Sequence, residues 1–167
     1  MIRAFIIRLE SVSEGLAYDL ASLARELGVE PAPTLDRLLA SARAADYGPV
    51  LERYDERAVE GARIAGEVKD RIWDLRARGL KLAFTTSLST RVASGYLSRE
   101  GVEFDAVVGR DLGPMEPERV RRALEELGCS PSEAIYVGFE EDLERVGVAG
   151  FTPEGFLRVA RLELEFY

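Results

Sequence analysis

The feature that most constrains the fold is a regular alternation of short apolar segments with amphipathic stretches. From residue 65 onward, apolar segments at 81–86, 104–109 and 134–138 lie between stretches of helical periodicity. Another apolar segment, Ile2–Leu9, opens the chain. Strands that alternate with helices predict a parallel sheet covered on both faces. We therefore predict an α/β fold with a three-layer, Rossmann-like parallel-sheet core.

The first strand is separated from the rest of this pattern by a long polar and amphipathic stretch. Residues 13–64 contain helical periodicity and no strand-like segment. This stretch is predicted to be an inserted all-helical cap. Residues 1–12 and 65–167 then form the α/β core.

Local signals predict where individual elements begin and end. A Ser-x-x-Glu capping box at Ser11 predicts a helix over about residues 14–27. Thr34 is predicted to cap a further helix that runs to about Ala44. Trp73 falls at helical spacing and is predicted to be a core residue. The alternating apolar and acidic residues of Leu162–Phe166 predict an edge strand.

Charge and composition exclude several classes of function. The net charge is −8 and the sequence pI is about 4.8, which argues against partners that are nucleic acids or anionic membranes. No segment approaches the roughly 20 apolar residues of a membrane span, and no signal segment is present. We therefore expect a cytoplasmic protein. Histidine is absent and the one cysteine is Cys129, which excludes histidine ligands and multi-cysteine metal sites.

Asparagine and glutamine are also absent. Loss of these amides, together with helices rich in arginine and glutamate, is typical of proteins that work at high temperature. A GC-rich genome would favour arginine over lysine as well. The sequence indicates a thermophilic source without excluding the second explanation.

The ends of the predicted strands are the places to search for a site, because ligands of open α/β sheets bind at the carboxyl ends of the strands. These ends lie at residues 8–10, 85–87, 109–111 and 138–142.

The first two strand ends resemble motifs of the haloacid dehalogenase-like (HAD) phosphohydrolases. Residues 4–12 (AFIIRLESV) are similar to the first motif, a strand followed by Asp-x-Asp-Gly-Thr. Arg8 occupies the position of the nucleophilic aspartate and Glu10 that of the acid/base aspartate. Residues 79–87 (GLKLAFTTS) resemble the second motif, with Thr86 as the matching hydroxyl residue. The resemblance implies phosphoryl binding by that hydroxyl and nearby N–H groups, whereas the simpler interpretation is a strand-end cap.

The third and fourth motifs follow in the expected order. Residues 113–118 (GPMEPE) resemble Gly-Lys-Pro-x-Pro-Glu, with Pro114 in place of the catalytic lysine. Residues 134–142 (AIYVGFEED) resemble the motif that ends in Val-Gly-Asp-Ser-x-x-Asp. Phe139 replaces its first metal-site aspartate, and Asp142 is the match for the second. The resemblance therefore implies the HAD fold, but it also shows that the residues of the family reaction are replaced.

These replacements predict loss of the family chemistry. That reaction needs a carboxylate nucleophile that also helps to bind Mg²⁺, and Arg8 can do neither. We predict a protein that has lost phosphohydrolase activity and acts by binding or assembly, without a metal site or cofactor. The alternative is a divergent hydrolase of a small phosphorylated metabolite, which would use Glu10, Asp111 or Glu140. Mg²⁺ is expected only under that alternative.

Two roles for Arg8 stay open. Its guanidinium could replace the metal and form an internal ion pair with Glu10 and Asp142. It could instead act with Thr86 as a small-anion sensor, with Arg8, Glu10, Thr86 and Ser87 as candidate ligand-binding residues. A small anionic ligand is the one partner that the sequence suggests. A protein partner and the oligomeric state are left open.

Overall fold

The structure, a computed structural model, describes residues 1–40 and 48–163. Its centre is a five-stranded parallel sheet, which confirms the predicted α/β class. In spatial order the strands are β5, β4, β1, β6 and β7. Their bounds are Ala4–Arg8 (β1), Lys81–Thr85 (β4), Ala106–Val108 (β5), Ala134–Val137 (β6) and Gly150–Phe151 (β7).

Helices cover both faces of this sheet. The side chains of β1 alternate between the two layers, so that Phe5 and Ile7 join one apolar cluster while Ala4 and Ile6 join the other. The four apolar residues of the strand are thereby buried, as expected for the central strand of a parallel sheet. The core helices are α1 (Leu9–Val12), α5 (Gly66–Ala77), α6 (Thr90–Arg99), α7 (Glu116–Leu127), α8 (Glu140–Leu143) and α9 (Pro153–Glu163).

The insertion after the first strand packs around an apolar cluster of its own. Its described helices are α2 (Leu20–Leu27), α3 (Leu35–Ala40) and α4 (Gly48–Glu60). Leu23, Leu38 and Leu51 are fully or almost fully buried between them. We call this part of the chain the cap.

Contrary to the prediction, the cap is not all-helical, because a short antiparallel strand pair lies at its base. Strand β2 (Ser13–Glu14) pairs antiparallel with β3 (Arg63–Ile64) where the chain leaves and re-enters the core. Gly15 allows the two ends to approach this closely, because a Cβ there would lie 2.9 Å from the carbonyl oxygen of Gly61, and its φ of +77° is in the left-handed region.

The helix predicted from the capping box at Ser11 was wrong in its start. Ser11 Oγ donates to the carbonyl of Arg8 at 2.7 Å instead of capping a helix. Helix α2 begins at Leu20, after Asp19, whose side chain accepts a hydrogen bond from the backbone N–H of Ser22 at 3.1 Å. The ladder of β2 with β3 takes up Ser13 and Glu14, so tertiary pairing overrides the local capping signal there.

Two further predictions are settled in part. Thr34 caps α3, since its Oγ1 accepts from the N–H of Arg37 at 3.2 Å, while the predicted extension to Ala44 lies partly outside the described residues. The predicted edge strand over Leu162–Phe166 was wrong at residues 162–163, which belong to α9; residues 164–166 lie outside the described part. The helix prevails because Phe156 of α9 is buried against Phe5, with ring centroids 5.7 Å apart.

Trp73 is not a core residue, contrary to the prediction. It is 71% exposed on α5, whose buried residues are Val68, Ile72 and Leu75. These three define the inner face of the helix, and the position after Ile72 turns about 100° away from it. Within the described part of the chain, no helix is long and apolar enough to cross a membrane.

Candidate functional site

The carboxyl ends of β1, β4 and β6 meet beneath helix α3 of the cap. The parallel register places Arg8 beside Thr85, and β6 flanks β1 on the other side. A cleft of about 680 Å³ opens there between cap and core, and we call it the cap–core cleft. Its lining residues are Arg8, Pro33, Thr34, Asp36, Arg37, Met115, Glu116, Phe139, Glu141, Asp142 and Arg145.

Arg8 lies at the centre of a group of carboxylates. Its Nε donates to Glu10 Oε2 at 3.1 Å and its Nη1 to Asp142 Oδ2 at 2.7 Å. Its Nη2 reaches Asp36 Oδ2 of the cap at 3.5 Å, and the guanidinium lies 5.2 Å from the ring centroid of Phe139. The ion-pair interpretation expects the contacts with Glu10 and Asp142, and both are present. The contact with Asp36 was missed, because a sequence does not reveal which cap residue faces the core.

Electrostatics keep this arginine charged. Burial alone would lower the pKa of the Arg8 guanidinium, but Glu10 and the other nearby carboxylates raise it above its ordinary value. The Arg8 side chain is 13% exposed, so the positive charge is largely removed from solvent. Its neutralisation therefore depends on the surrounding acids.

Glu10 occupies the donors that the resemblance assigns to a phosphoryl group. Its Oε1 accepts a short hydrogen bond from the Thr86 hydroxyl and one from the Ser87 backbone N–H at 3.0 Å. Thr86 Oγ1 in turn accepts from the N–H of Leu88 at 3.0 Å. Four of the predicted site residues, Arg8, Glu10, Thr86 and Ser87, thus lie together, but their polar groups bind one another.

A second buried arginine, missed from the sequence, lies where the motif lysine would be sought. Pro114 contributes its carbonyl, which accepts from Arg119 Nη2 at 2.9 Å, and Gly113 O accepts from Arg119 Nε at 2.8 Å. Arg119 also donates from Nη2 to Asp36 Oδ1 at 3.0 Å, and its Nη1 lies 3.4 Å from Ser87 Oγ. The signal for Arg119 was present, since a charged residue on the apolar face of α7 calls for a buried partner.

Glu116 forms the floor of the cap–core cleft. Its Oε2 accepts from the hydroxyls of Thr85 and Tyr136, each at 2.5 Å. Its Oε1 is buried, has no hydrogen-bond partner among the described residues and lies 3.6 Å from Arg119 Nη1. Burial raises the pKa of the Glu116 carboxyl to about 7, against the opposing effects of Arg8 and the two hydrogen bonds. This carboxyl can therefore carry a proton near neutral pH.

A second buried ion pair connects helix α4 to the core. The carboxylate of Asp55 is fully buried and accepts hydrogen bonds from Arg110 Nη1 at 3.0 Å and from Arg110 Nη2 at 2.8 Å. The Tyr18 hydroxyl donates to Asp55 Oδ1 at 2.6 Å, and Arg110 Nη1 also donates to the carbonyl of Ser87 at 2.7 Å. Cap and core are thus joined at two places, by Asp36 at the cleft and by Asp55 outside its lining.

The residues proposed for a divergent hydrolase are not gathered in the cleft. Asp111 Oδ1 accepts from the N–H and hydroxyl of Thr90 at 2.8 and 3.0 Å, and so caps the start of α6. Glu140 is exposed at the start of α8 and does not line the cleft. Glu10 does lie at the site, with both carboxylate oxygens already hydrogen-bonded.

The Mg²⁺ that the resemblance implies does not fit the residues present. The carboxylates of Glu10, Asp36 and Asp142 converge on the guanidinium of Arg8, which supplies the positive charge that a metal ion would bring. Octahedral oxygen ligation at the end of β1 would require that side chain to leave. Across residues 1–40 and 48–163, no group of three or more acidic or cysteine side chains is arranged to hold a metal ion.

Comparison with known proteins agrees with the motifs. A family model described as haloacid dehalogenase-like hydrolase matches residues 7–144. Pyrophosphatase PpaX from Bacillus velezensis is 36% identical over 108 residues, which are 62% of this chain and 46% of that protein. The chain thus spans about half the length of this relative.

Solved structures share the fold at low identity. A haloacid dehalogenase-like hydrolase from Streptococcus pneumoniae superposes with a TM-score of 0.62 at 19% identity, over 89% of this chain and 83% of the other. A HAD-superfamily hydrolase of subfamily IA, variant 1, from Geobacter sulfurreducens gives 0.61 at 17% identity, over 97% and 100%. These likenesses concern the arrangement of the chain alone.

Proposed function

Since this chain belongs to the haloacid dehalogenase-like hydrolase family, we propose that it is a member that does not hydrolyse phosphates by the family's aspartate route and acts through binding. One observation carries this proposal. The end of β1, where the nucleophile would be, presents the guanidinium of Arg8 bound to the carboxylates of Glu10, Asp36 and Asp142. A guanidinium that stays protonated cannot attack phosphorus, and it repels Mg²⁺.

The scale of the expected loss is large. Removal of a covalent nucleophile in a well-studied protease lowers kcat by about 10⁶. Glu10 is a poor replacement, because Arg8, Thr86 and Ser87 already bind its two oxygens. The divergent hydrolase of a small phosphorylated metabolite, with Mg²⁺ as cofactor, is therefore the weaker alternative.

The same contacts argue against an anion sensor built on Arg8 and Thr86. Both residues bind Glu10, so an anion at this point would have to displace an internal carboxylate. A small anionic ligand stays the predicted partner, but it needs other donors. The cytoplasmic location and the thermophilic source stay predictions from composition.

Hydrolysis assays test the proposal. The purified chain is incubated with p-nitrophenyl phosphate or inorganic pyrophosphate, with Mg²⁺ or with a chelator, at 25 °C and at elevated temperature. We expect no phosphate release above the protein-free blank. The variant Arg8→Asp alone should also release no phosphate, because Phe139 still replaces a metal-site acid. Chelator-sensitive hydrolysis that Asp142→Asn abolishes would refute the proposal.

A further inference from the structure

We infer that the cap–core cleft binds a small hydroxylated organic anion, whose acidic group is held by Arg37 and Arg145 and whose hydroxyl reaches Glu116. This rests on the proposed function, because it treats the cleft as a place of binding and not of phosphoryl transfer. It also moves the anion from the strand end at Arg8 to the mouth of the cleft.

The inner donors of the site are already used. The Thr86 hydroxyl and the Ser87 N–H donate to Glu10. The guanidinium of Arg8 forms ion pairs with three carboxylates. Arg119 is fully buried and donates to Asp36 and to two backbone carbonyls. An acidic group of a ligand therefore finds no unoccupied donor at the base of the cleft.

The mouth of the cleft presents two guanidinium groups that pair with none of residues 1–40 and 48–163. Arg37 belongs to α3 of the cap and Arg145 follows α8 of the core, and both line the same cleft. Both are exposed, and neither side chain forms an ion pair or hydrogen bond with any residue that the structure describes. Planar guanidinium groups match the two oxygens of a carboxylate or phosphate. The Thr34 hydroxyl accepts from the Arg37 N–H at 3.2 Å and keeps its own proton to donate.

The floor of the cleft requires a hydrogen-bond donor. Glu116 lines the cleft and is 2% exposed. Its Oε1 lies 3.6 Å from Arg119 Nη1, which is too far for a hydrogen bond, and accepts no hydrogen bond from the described residues. A buried acceptor without a donor is unfavourable, so a hydroxyl of a bound molecule would be stabilising there. The raised pKa of Glu116 lets the same carboxyl donate in its neutral form. A second hydroxyl could donate to Glu141 at the rim.

The walls and the size of the cleft restrict the rest of the ligand. Pro33, Met115 and Phe139 provide apolar surface for a short carbon chain. The acidic groups of Asp36, Glu141 and Asp142 also line the cleft and disfavour a second anionic group on the ligand. A volume of about 680 Å³ suits a small metabolite. Together these groups favour a ligand with one acidic group and a short carbon chain that carries hydroxyls.

Thermal shift and titration calorimetry with four probes test the inference. Glycerol 3-phosphate and glycerate carry both an acidic group and hydroxyls, and they separate phosphate from carboxylate as the preferred acid. Glycerol lacks the charge, and methyl phosphate lacks the hydroxyls. We expect at least one of the first pair to raise the Tm, and to bind at least tenfold more tightly than glycerol or methyl phosphate.

Matched arginine variants locate the binding. Arg37→Ala and Arg145→Ala should each weaken binding of the active probe by roughly tenfold or more, the scale of a lost charge-assisted hydrogen bond. Arg121→Ala is the control, since Arg121 is exposed on α7 and lies outside the cleft; it should leave the affinity unchanged. Circular dichroism confirms that each variant is folded.

The failures of the two proposals are distinguishable. If no probe binds, or if binding is indifferent to Arg37→Ala and Arg145→Ala, the inference is overturned while the absence of hydrolysis still stands. If methyl phosphate binds as tightly as glycerol 3-phosphate, the role of Glu116 is refuted. Mg²⁺-dependent hydrolysis of glycerol 3-phosphate would refute the proposed function but leave the ligand class intact.

Discussion

Arg8 is the residue on which the candidate site depends, because it is the positive charge shared by Glu10, Asp36 and Asp142. Its replacement by methionine keeps a long apolar side chain but leaves three largely buried carboxylates facing one another. Breaking a buried pair in this way costs about 3–5 kcal/mol of folding free energy. We expect a loss of that size for Arg8→Met in urea denaturation at pH 7.

An exposed arginine provides the matched control for this prediction. Arg91 also pairs with two acids, Glu52 and Glu56, but its side chain is 63% exposed. Surface pairs contribute up to about 1 kcal/mol, so Arg91→Met should be mild. If the two variants lost equal stability, Arg8 would not be neutralising a buried cluster of carboxylates.

Glu116 predicts a specific dependence of stability on pH. Its folded-state pKa of about 7 lies above the ordinary value of 4.5, so the folded protein binds the proton more tightly than the unfolded chain. Its contribution to stability is fully present below about pH 4.5 and is lost as the pH rises through about 7. The loss is at most about 3 kcal/mol.

The variant Glu116→Gln should remove this loss, because a neutral amide does not titrate. We expect the free energy of unfolding to fall less between pH 5 and pH 8 in Glu116→Gln than in the wild type. Glu140→Gln, at an exposed position of α8, controls for the change in net charge. Equal slopes in wild type and Glu116→Gln would contradict a proton held by Glu116 in the folded protein.

The polar residues of the site divide into those that a sequence can predict and those that it cannot. Arg8 and Asp142 follow two adjacent strands, so parallel-sheet topology brings them together and their contact could be predicted. Asp36 could not, because its role depends on how α3 docks onto the core. Arg119 and Glu116 lie on the buried face of α7, outside the positions that the motifs mark, so the motifs did not predict them.

At the scale of elements, helix α5 shows that hydrophobic periodicity predicts a helical segment more reliably than it predicts which side chains of that helix are buried. The spacing of Val68, Ile72 and Leu75 fixes the inner face, and Trp73 follows Ile72 by one position. Helical spacing led to the prediction that Trp73 is a core residue, whereas the angle of about 100° per residue from Ile72 places it outside. The predicted start of α2 was wrong for another reason. The pairing of β2 with β3 is non-local, so it leaves no local signal in the sequence.

The exposure of Trp73 can be measured, because it is the chain's single tryptophan. Its native fluorescence should be quenched by iodide almost as efficiently as that of the urea-unfolded chain. Trp73→Ser should change the free energy of unfolding by less than about 0.5 kcal/mol, as expected at an exposed position. Strong protection from iodide in the monomeric protein would contradict the orientation of α5.

At the scale of the whole molecule, the alternation of strands and helices was sufficient to predict the layers of the core. The apolar residues of β1, β4 and β6 are buried on both faces, and this is what a continuous apolar run encodes. The two-residue strands β2, β3 and β7 were not predictable. Segments this short lack periodicity and are defined by their partners.

Cap and core are joined by buried ion pairs, which predicts that they unfold together. Asp36 binds Arg8 and Arg119, and Asp55 binds Arg110. Separation of the cap would take Asp36 from Arg119 and Asp55 from Arg110, at a cost of several kcal/mol for each buried pair. We therefore expect one midpoint in urea for hydrogen exchange of peptides from β1 and β4, which reports on the core, and of peptides from α2 and α4, which reports on the cap.

The double variant Asp36→Asn/Asp55→Asn should uncouple the two parts. Both amides keep the size of the side chain while removing the charge that holds the cap, so exchange in α2 and α4 should rise at urea concentrations where exchange in β1 and β4 is still native. Glu52→Gln/Glu56→Gln on α4 is the matched control, because these acids form exposed pairs with Arg91 and should leave the single midpoint in place. Separate midpoints already in the wild type would show that the buried pairs do not couple cap and core.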